Sequence, residues 1–145
     1  MFNEPLLQQA RDILTWCEQH HLKLVTAESC TGGLLAALFT EIPGSSKAFE
    51  RGFVTYSNAA KTQSIGVDPG ILNAHGAVSE QVAIEMARKV KKTTAADVSI
   101  ATTGIAGPGG GSLEKPVGLV YIAVAVKDEL RVEKHHFVGT RGDIR

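Results

Sequence analysis

The run from Val117 to Val126, VGLVYIAVAV, constrains the fold most strongly because nearly all of its residues are apolar. Successive side chains of a strand point to opposite faces, so a run without polar alternation indicates a strand covered on both faces. The run is far too short to cross a bilayer as a helix. The sequence therefore predicts a layered domain with this strand in its interior.

Segments of helical and strand periodicity alternate before this run, and a hairpin follows it. Helices are predicted where apolar residues form one stripe or where a capping residue and a terminal glycine bracket a segment, namely at 5–20, 31–40, 57–66, 68–76 and in a helix capped by Ser79. Strands are predicted at 22–26, 49–56, 98–102, 117–126 and 131–138, and the tail from 139 begins another helix. This order predicts an α/β fold, a three-layer α/β/α sandwich with a mixed sheet.

Composition excludes several classes of partner. The 15 basic and 15 acidic side chains give a formal net charge of zero, so there is no broad electrostatic footprint for nucleic acid or for an anionic membrane surface. Cys17 and Cys30 are too few for a disulfide framework, and the N-terminus lacks the pattern of a secretory signal. We expect a cytoplasmic protein that binds neither nucleic acid nor membrane.

The stretch TAESCTGGLL, residues 26–35, places polar residues at a strand-to-helix junction. The hydroxyl of Ser29 would project from the sheet edge there, beside the backbone N–H groups of the following helix, an arrangement that suits a nucleophile and its oxyanion. The alternative is that Ser29 or Thr31 only caps the helix. Glu28 is expected to accept a hydrogen bond from a ligand hydroxyl or from a neighbouring N–H. From this segment alone both readings of Ser29 stay open.

Lys61 is the candidate general base for a nucleophilic serine. A lysine partly removed from water has a lowered pKa, so its neutral amine can take a proton from a hydroxyl. Tyr56, at the end of the preceding strand, could relay that proton or hold the amine. Spacing alone favours the opposite interpretation, an exposed helix lysine with a tyrosine at the rim, because most lysines are solvated.

Other nucleophiles and ligands are less well placed. Cys30 at a helix N-terminus could be a thiolate nucleophile, but no partner histidine is expected nearby, which favours a small buried core cysteine. The five histidines are read as structural, and no pair has the spacing of zinc ligands. We therefore expect no metal site.

The glycine-rich loop TTGIAGPGGG, residues 102–111, has the character of an anion cradle because successive glycine N–H groups form a concave array of donors. A flexible hairpin-like connection explains the loop equally well. Arg141 is a second candidate for binding phosphate, since a guanidinium binds phosphate oxygens in pairs. The carboxyl ends of three strands therefore carry Ser29, then Tyr56 with Lys61, then Thr103 with the glycines, and these groups are expected to converge.

Four ordered motifs, AESCTGG, GFVTYSNAAK, GAVSEQVAIEMA and TTGIAGPGGG…KPVGLVYIAV, together resemble the CinA C-terminal-domain family. Its free-standing members are the nicotinamide-nucleotide amidohydrolases, also called PncC. The resemblance runs from about Leu6 to Arg141. It implies hydrolysis of the carboxamide of nicotinamide mononucleotide, without metal or other cofactor, by a homodimer or higher homo-oligomer.

Carried over by position, the resemblance implies that Ser29 is the nucleophile, Lys61 the base and Tyr56 an assisting residue. Thr103 and its loop would shape the pocket, and Arg141 would bind near the phosphate. The substrate-binding positions expected on this basis are Glu28, Cys30, Thr31, Gly32, Gly33, Thr103, Gly104, Gly107, Gly109 and Arg141.

Two further expectations follow from the resemblance. Residues 1–145 form one amidohydrolase domain whose C-terminal helix is truncated or absent, because the family continues through a helix that has barely begun at Arg145. Some CinA-type domains do not turn over substrate, so a binding module for a phosphorylated nucleotide is the alternative function. A Cys30-dependent amidase is a second alternative.

Overall fold

The computed structural model describes residues 2–145. The strands described are β1 Leu24–Glu28, β2 Phe49–Val54, β3 Val98–Gly104, β4 Leu119–Val126 and β5 Glu129–His136. The helices described are α1 Glu4–Gln19, α2 Leu34–Thr40, α3 Asn58–Ile65, α4 Pro69–His75, α5 Glu80–Thr93 and α6 Arg141–Ile144. Within this part of the chain, no helix combines the length and apolarity needed to cross a membrane.

The sheet has the strand order β2-β1-β3-β4-β5, in which β2, β1 and β3 are parallel and β4 and β5 are antiparallel. This confirms the predicted α/β fold with a mixed sheet. The chain leaves β1 for a neighbour on one side and later returns to pair β3 on the other side. In open α/β sheets, ligands bind in the crevice at the carboxyl ends of the strands where the order reverses, so β1 marks that point here.

Helices cover the two faces of the sheet. α5 lies on one face, and its apolar stripe of Val82, Ala83, Met86, Ala87 and Val90 is fully buried in a core shared with β1, β3 and β4. On the other face, Leu14 and Cys17 of α1 pack with Phe39 of α2 over the opposite side of the strands. The result is the predicted three-layer sandwich.

Two boundaries differ from the sequence prediction in ways that matter for the site. β1 continues to Glu28, and α2 begins at Leu34 rather than near Thr31, so a tight turn separates the two.

The helices cover the two faces of β4 unequally. Ala123 and Ala125 are buried beneath α5, whereas Ile122 and Val124 on the other face are only half-buried because α1 and α2 pack over the neighbouring strands.

Candidate active site

Ser29 lies at the carboxyl end of β1, on the turn that links this strand to α2. Its backbone N–H donates to the carbonyl of Thr102 at 2.9 Å, which fixes the turn against β3. Gly32 and Gly33 have φ of +59° and +96°, in the left-handed region that a side chain would strain. The sequence therefore folds into a tight turn that holds Ser29 at the strand end, only 8% exposed.

The Glu28 carboxylate caps the amino end of α2 from beneath the turn. Its two oxygens accept hydrogen bonds from the backbone N–H groups of Leu35 and Ala36 and from the hydroxyls of Thr31 and Thr26. Glu28 is fully buried. Of the two contacts expected for Glu28, the one with a neighbouring N–H is present, and its carboxylate also accepts from the Thr31 hydroxyl under the turn.

Lys61 reaches the Ser29 hydroxyl from the first turn of α3. Ser57 caps this helix by accepting from the N–H of Ala60. The Lys61 Nζ lies 2.9 Å from Ser29 Oγ, and the whole residue is 0% exposed. The exposed lysine that spacing alone favours is therefore wrong, because α3 turns this side chain toward the end of β1.

Two main-chain carbonyls hold the amine in place. Lys61 Nζ donates to the carbonyl of Thr55 at 2.7 Å and to that of Tyr56 at 3.3 Å. Carbonyls only accept hydrogen bonds, so they occupy the two N–H groups of a neutral amine and leave its lone pair for the Ser29 hydroxyl. The geometry thus suits a neutral lysine that accepts a proton from serine.

Burial also favours the neutral form of the Lys61 amine. Removal from water lowers the pKa of Lys61 from its ordinary value of 10.5 to about 8, and the smaller influence of Cys30 acts the other way. A tenth or so of such an amine is neutral one pH unit below its pKa. The site therefore supplies a useful fraction of base near neutral pH.

Cys30 is buried in a small cluster with Ala106, Val120 and Ile144. Burial raises the pKa of its thiol, and this effect outweighs the nearby backbone N–H groups that favour the thiolate. The sulfur is thus neutral at ordinary pH. This environment fits the small buried core cysteine that the sequence favours.

Arg141 joins the rim of the site to the glycine-rich loop. Its Nη1 donates to the carbonyl of Gly107 at 2.7 Å, and its Nη2 donates to the Tyr56 hydroxyl at 3.0 Å. Tyr56 is 59% exposed. The Tyr56 carbonyl therefore helps to hold the Lys61 amine, and the Tyr56 hydroxyl accepts a hydrogen bond from Arg141.

At the end of β3, the Thr103 hydroxyl and the Gly104 N–H point to different neighbours. The Thr103 hydroxyl is buried and donates to the carbonyl of Ala77 at 2.7 Å, which links the end of β3 to the loop before α5. The N–H of Ile105 donates to Leu119 of β4, and alternation then turns the N–H of Gly104 to the opposite side, toward β1. A Cβ at Gly104 would lie 2.7 Å from Val120. Gly104 thus brings an N–H donor to the side of Ser29.

Thr55 was missed by the sequence analysis. Its carbonyl is the closer of the two acceptors for Lys61, and its own hydroxyl is fully buried without a hydrogen-bond partner among residues 2–145. The sequence offered one signal for Thr55, which is its position directly before Tyr56 at the end of the strand predicted at 49–56. Within the same described residues, no group of three or more His, Cys, Asp and Glu side chains is arranged to hold a metal ion.

Comparisons with known proteins agree with the fold and cover nearly all of the chain. Residues 7–145 match the family model described as the CinA C-terminal domain. A Moorella thermoacetica protein described as competence-damage inducible is 54% identical over 125 residues, which is 86% of this chain and 30% of that protein. A CinA-like protein of Chlorobaculum tepidum is 54% identical over 123 residues, 83% of this chain and 29% of its own length. The chain therefore spans about 30% of the length of these curated relatives.

Solved structures of CinA-type proteins have the same fold as this chain. The competence/damage inducible protein CihA from Agrobacterium tumefaciens superposes with a TM-score of 0.96 at 44% identity, covering 99% of this chain and 88% of that one. A CinA superfamily protein from Escherichia coli superposes with a TM-score of 0.93 at 34% identity, covering 99% and 85% of the two chains.

Proposed function

This chain belongs to the CinA C-terminal domain family, and on that premise we propose that it hydrolyses the carboxamide of nicotinamide mononucleotide. The products are nicotinate mononucleotide and ammonia. The observation that carries the proposal is the buried Lys61 amine, 2.9 Å from the Ser29 hydroxyl with two carbonyls as its other partners. A nucleophile paired with a buried base is the arrangement that amide hydrolysis through an acyl-enzyme requires.

The proposed first step forms a bond between Ser29 Oγ and the carboxamide carbon. The hydroxyl proton passes to neutral Lys61, and the protonated amine then gives a proton to the departing nitrogen, so that ammonia leaves and an ester remains on Ser29. Lys61 is neutral again at this stage. A water molecule attacks the ester as its proton passes to Lys61, and that proton returns to Ser29 when the acid leaves.

Backbone N–H groups are proposed to stabilise the oxyanion of each step. Gly104 is one candidate, because its N–H is directed toward β1 and it carries no side chain. The N–H groups of Cys30, Thr31 and Gly33 in the turn after Ser29 are the other candidates, whereas the N–H of Gly32 already donates to the Ser29 carbonyl. Preorganised donors of this kind lower the barrier because they need no rearrangement as charge develops.

Arg141 is proposed to bind near the substrate phosphate. It stands at the rim between the exposed Tyr56 ring and the glycine-rich loop that contains Gly107 and Gly109, which suits the charged end of a nucleotide whose amide lies at Ser29. The resemblance implies a cytoplasmic homo-oligomer acting on a small-molecule nucleotide, and we include these in the proposal. Cys30 is not proposed as the nucleophile, because burial raises the pKa of its thiol.

The test measures hydrolysis of nicotinamide mononucleotide. A coupled dehydrogenase assay detects the ammonia, and chromatography identifies the acid product. Wild type should turn over the substrate, and Ser29→Ala should lose several orders of magnitude in kcat. Ser46→Ala, which changes an exposed serine away from the site, and Cys30→Ala should both retain activity. A Ser29→Ala protein with near wild-type turnover would exclude this mechanism.

A binding module is the second candidate, because the related proteins are described by competence and damage induction rather than by hydrolysis. In that case the same crevice holds a phosphorylated nucleotide without reaction. Calorimetry with nicotinamide mononucleotide, run beside the ammonia assay, distinguishes the two. Binding without ammonia favours the module, and ammonia release favours the amidohydrolase.

A further inference from the structure

A cavity of about 360 Å³ lies between the carboxyl end of α1 and the hairpin that joins β4 to β5. Clefts that bind small chemical groups usually measure about 300–1,000 Å³, so this volume is adequate for a ligand. Val126, beside the hairpin, pairs with Val98 at the start of β3, and Val98 pairs with Leu24 at the start of β1. Ser29 follows the other end of β1. The cavity therefore lies at the end of the sheet opposite to the candidate active site.

Trp16 of α1 lines this cavity and is the only tryptophan of the chain. It is 41% exposed, whereas Leu14 and Cys17 beside it are buried. The His20 ring stacks on the indole, with the ring centroids 4.8 Å apart. His20 is itself fixed, because its Nδ1 donates to the Trp16 carbonyl at 2.8 Å. A large aromatic surface that is already held in place loses little conformational entropy when a ligand packs on it.

The other polar side chains of the cavity are mostly hydrogen-bond acceptors. Because Nδ1 of His20 is the donor to the carbonyl, Nε2 of the neutral ring is an acceptor. The carboxylates of Asp128 and Glu129 belong to the same lining, and neither takes part in a salt bridge within residues 2–145. Lys127 is the only lysine or arginine among the lining residues, so negative charge is in excess.

An aromatic face beside unpaired carboxylates suits a planar cation. A cation is attracted to the face of an indole, and a guanidinium can stack flat on that face while its edge donates pairs of N–H groups to a carboxylate. A lysine ammonium is a compact, strongly hydrated point charge that cannot make both contacts in this way. Charge and shape together therefore select an arginine side chain.

We propose that this cavity binds an arginine side chain of a partner polypeptide, with its guanidinium stacked on Trp16 and its N–H groups donating to Asp128 and Glu129. Tryptophan and arginine are among the residues that contribute most to binding energy at protein interfaces. This inference concerns a surface remote from Ser29 and does not depend on the proposed reaction.

The fluorescence of Trp16 is the primary measurement, because no other tryptophan contributes to the emission. The probe is a glycine–arginine–glycine tripeptide with acetyl and amide caps, titrated into the full chain at low salt. It should shift the emission saturably, with a dissociation constant in the millimolar range, since it supplies a single side chain. The same tripeptide with citrulline, which has the shape of arginine without its charge, should bind at least about tenfold more weakly, and so should the lysine tripeptide.

Substitution of the two carboxylates provides the matched comparison. The double variant Asp128→Asn/Glu129→Gln keeps the shape of the lining and should weaken binding of the arginine tripeptide by at least about tenfold. Glu133→Gln, on the same face of β5 but outside the cavity, is the control and should leave the dissociation constant unchanged. Urea unfolding of each variant checks that the fold is retained.

Removal of the indole tests the stacking contact directly. Trp16→Leu has no tryptophan emission, so its binding is measured by the amide chemical shifts of Asp128 and Glu129 during the same titration. These shifts should change in the wild type and stay constant in Trp16→Leu.

An arginine tripeptide that leaves the Trp16 emission unchanged would overturn the proposal. So would equal binding of the citrulline or lysine tripeptide, or a loss of affinity in Glu133→Gln as large as that in the double carboxylate variant. Retention of wild-type binding in Trp16→Leu would also contradict it.

Discussion

Replacing Lys61 by methionine should remove a specific pH dependence of stability. The pKa of Lys61 is about 8 in the folded chain, below its ordinary value of 10.5, because burial disfavours the ammonium form. Between these two pH values the unfolded chain binds more protons than the folded one. The free energy of unfolding of the wild type should therefore rise with pH through this window and be independent of Lys61 titration below it.

The size of the effect follows from the two pKa values. The contribution of Lys61 should increase by about 1.4 kcal/mol from pH 7 to pH 9 and by about 3 kcal/mol by pH 10.5. The residue is 0% exposed, so little of this is screened by water. Lys61→Met keeps an apolar stem of similar length but has no group to titrate.

The assay is urea denaturation of wild type and Lys61→Met at several pH values between 7 and 10.5. The difference between their free energies of unfolding isolates Lys61, because all other titrating groups are common to both proteins. Replacing exposed Lys92 by methionine serves as the matched control and should preserve the wild-type pH dependence. A wild-type minus Lys61→Met difference that stays flat across this range would refute the buried, easily deprotonated amine.

Two other substitutions test the surroundings of the pair by denaturant unfolding. Glu28→Gln should lower the free energy of unfolding by about 1–3 kcal/mol, because an amide group replaces a carboxylate oxygen that faces N–H and hydroxyl donors; unchanged stability would contradict the cap described for α2. Thr55→Val should raise it by about 1 kcal/mol, because it removes a buried hydroxyl that lacks a partner. A loss of stability in Thr55→Val would indicate that this hydroxyl is bonded in solution.

Local sequence signals predicted the elements of the fold well. Ser79 caps α5 as its position predicted, and Gly66 and Gly76 end the helices predicted at 57–66 and 68–76. These signals work because a cap satisfies backbone groups within a few residues, so no knowledge of the tertiary fold is needed.

The contacts within the site depended on tertiary structure, and spacing alone misjudged several of them. Lys61 was favoured as exposed because nothing local reveals that α3 packs its first turn over the end of β1. For Glu28 the sequence left a ligand hydroxyl and a neighbouring N–H open as partners, because the delayed start of α2, which turns its N–H groups toward that carboxylate, is not visible in the sequence. Tyr56 was assigned a side-chain role that its carbonyl performs.

The pH dependence of kcat/KM for ammonia release tests the central claim most directly, since the proposed reaction requires neutral Lys61 beside Ser29. We predict that log kcat/KM rises with unit slope below about pH 8 and levels off above it. A profile that is flat through this range, or that begins to rise only near the ordinary pKa of a solvated lysine, would contradict the account.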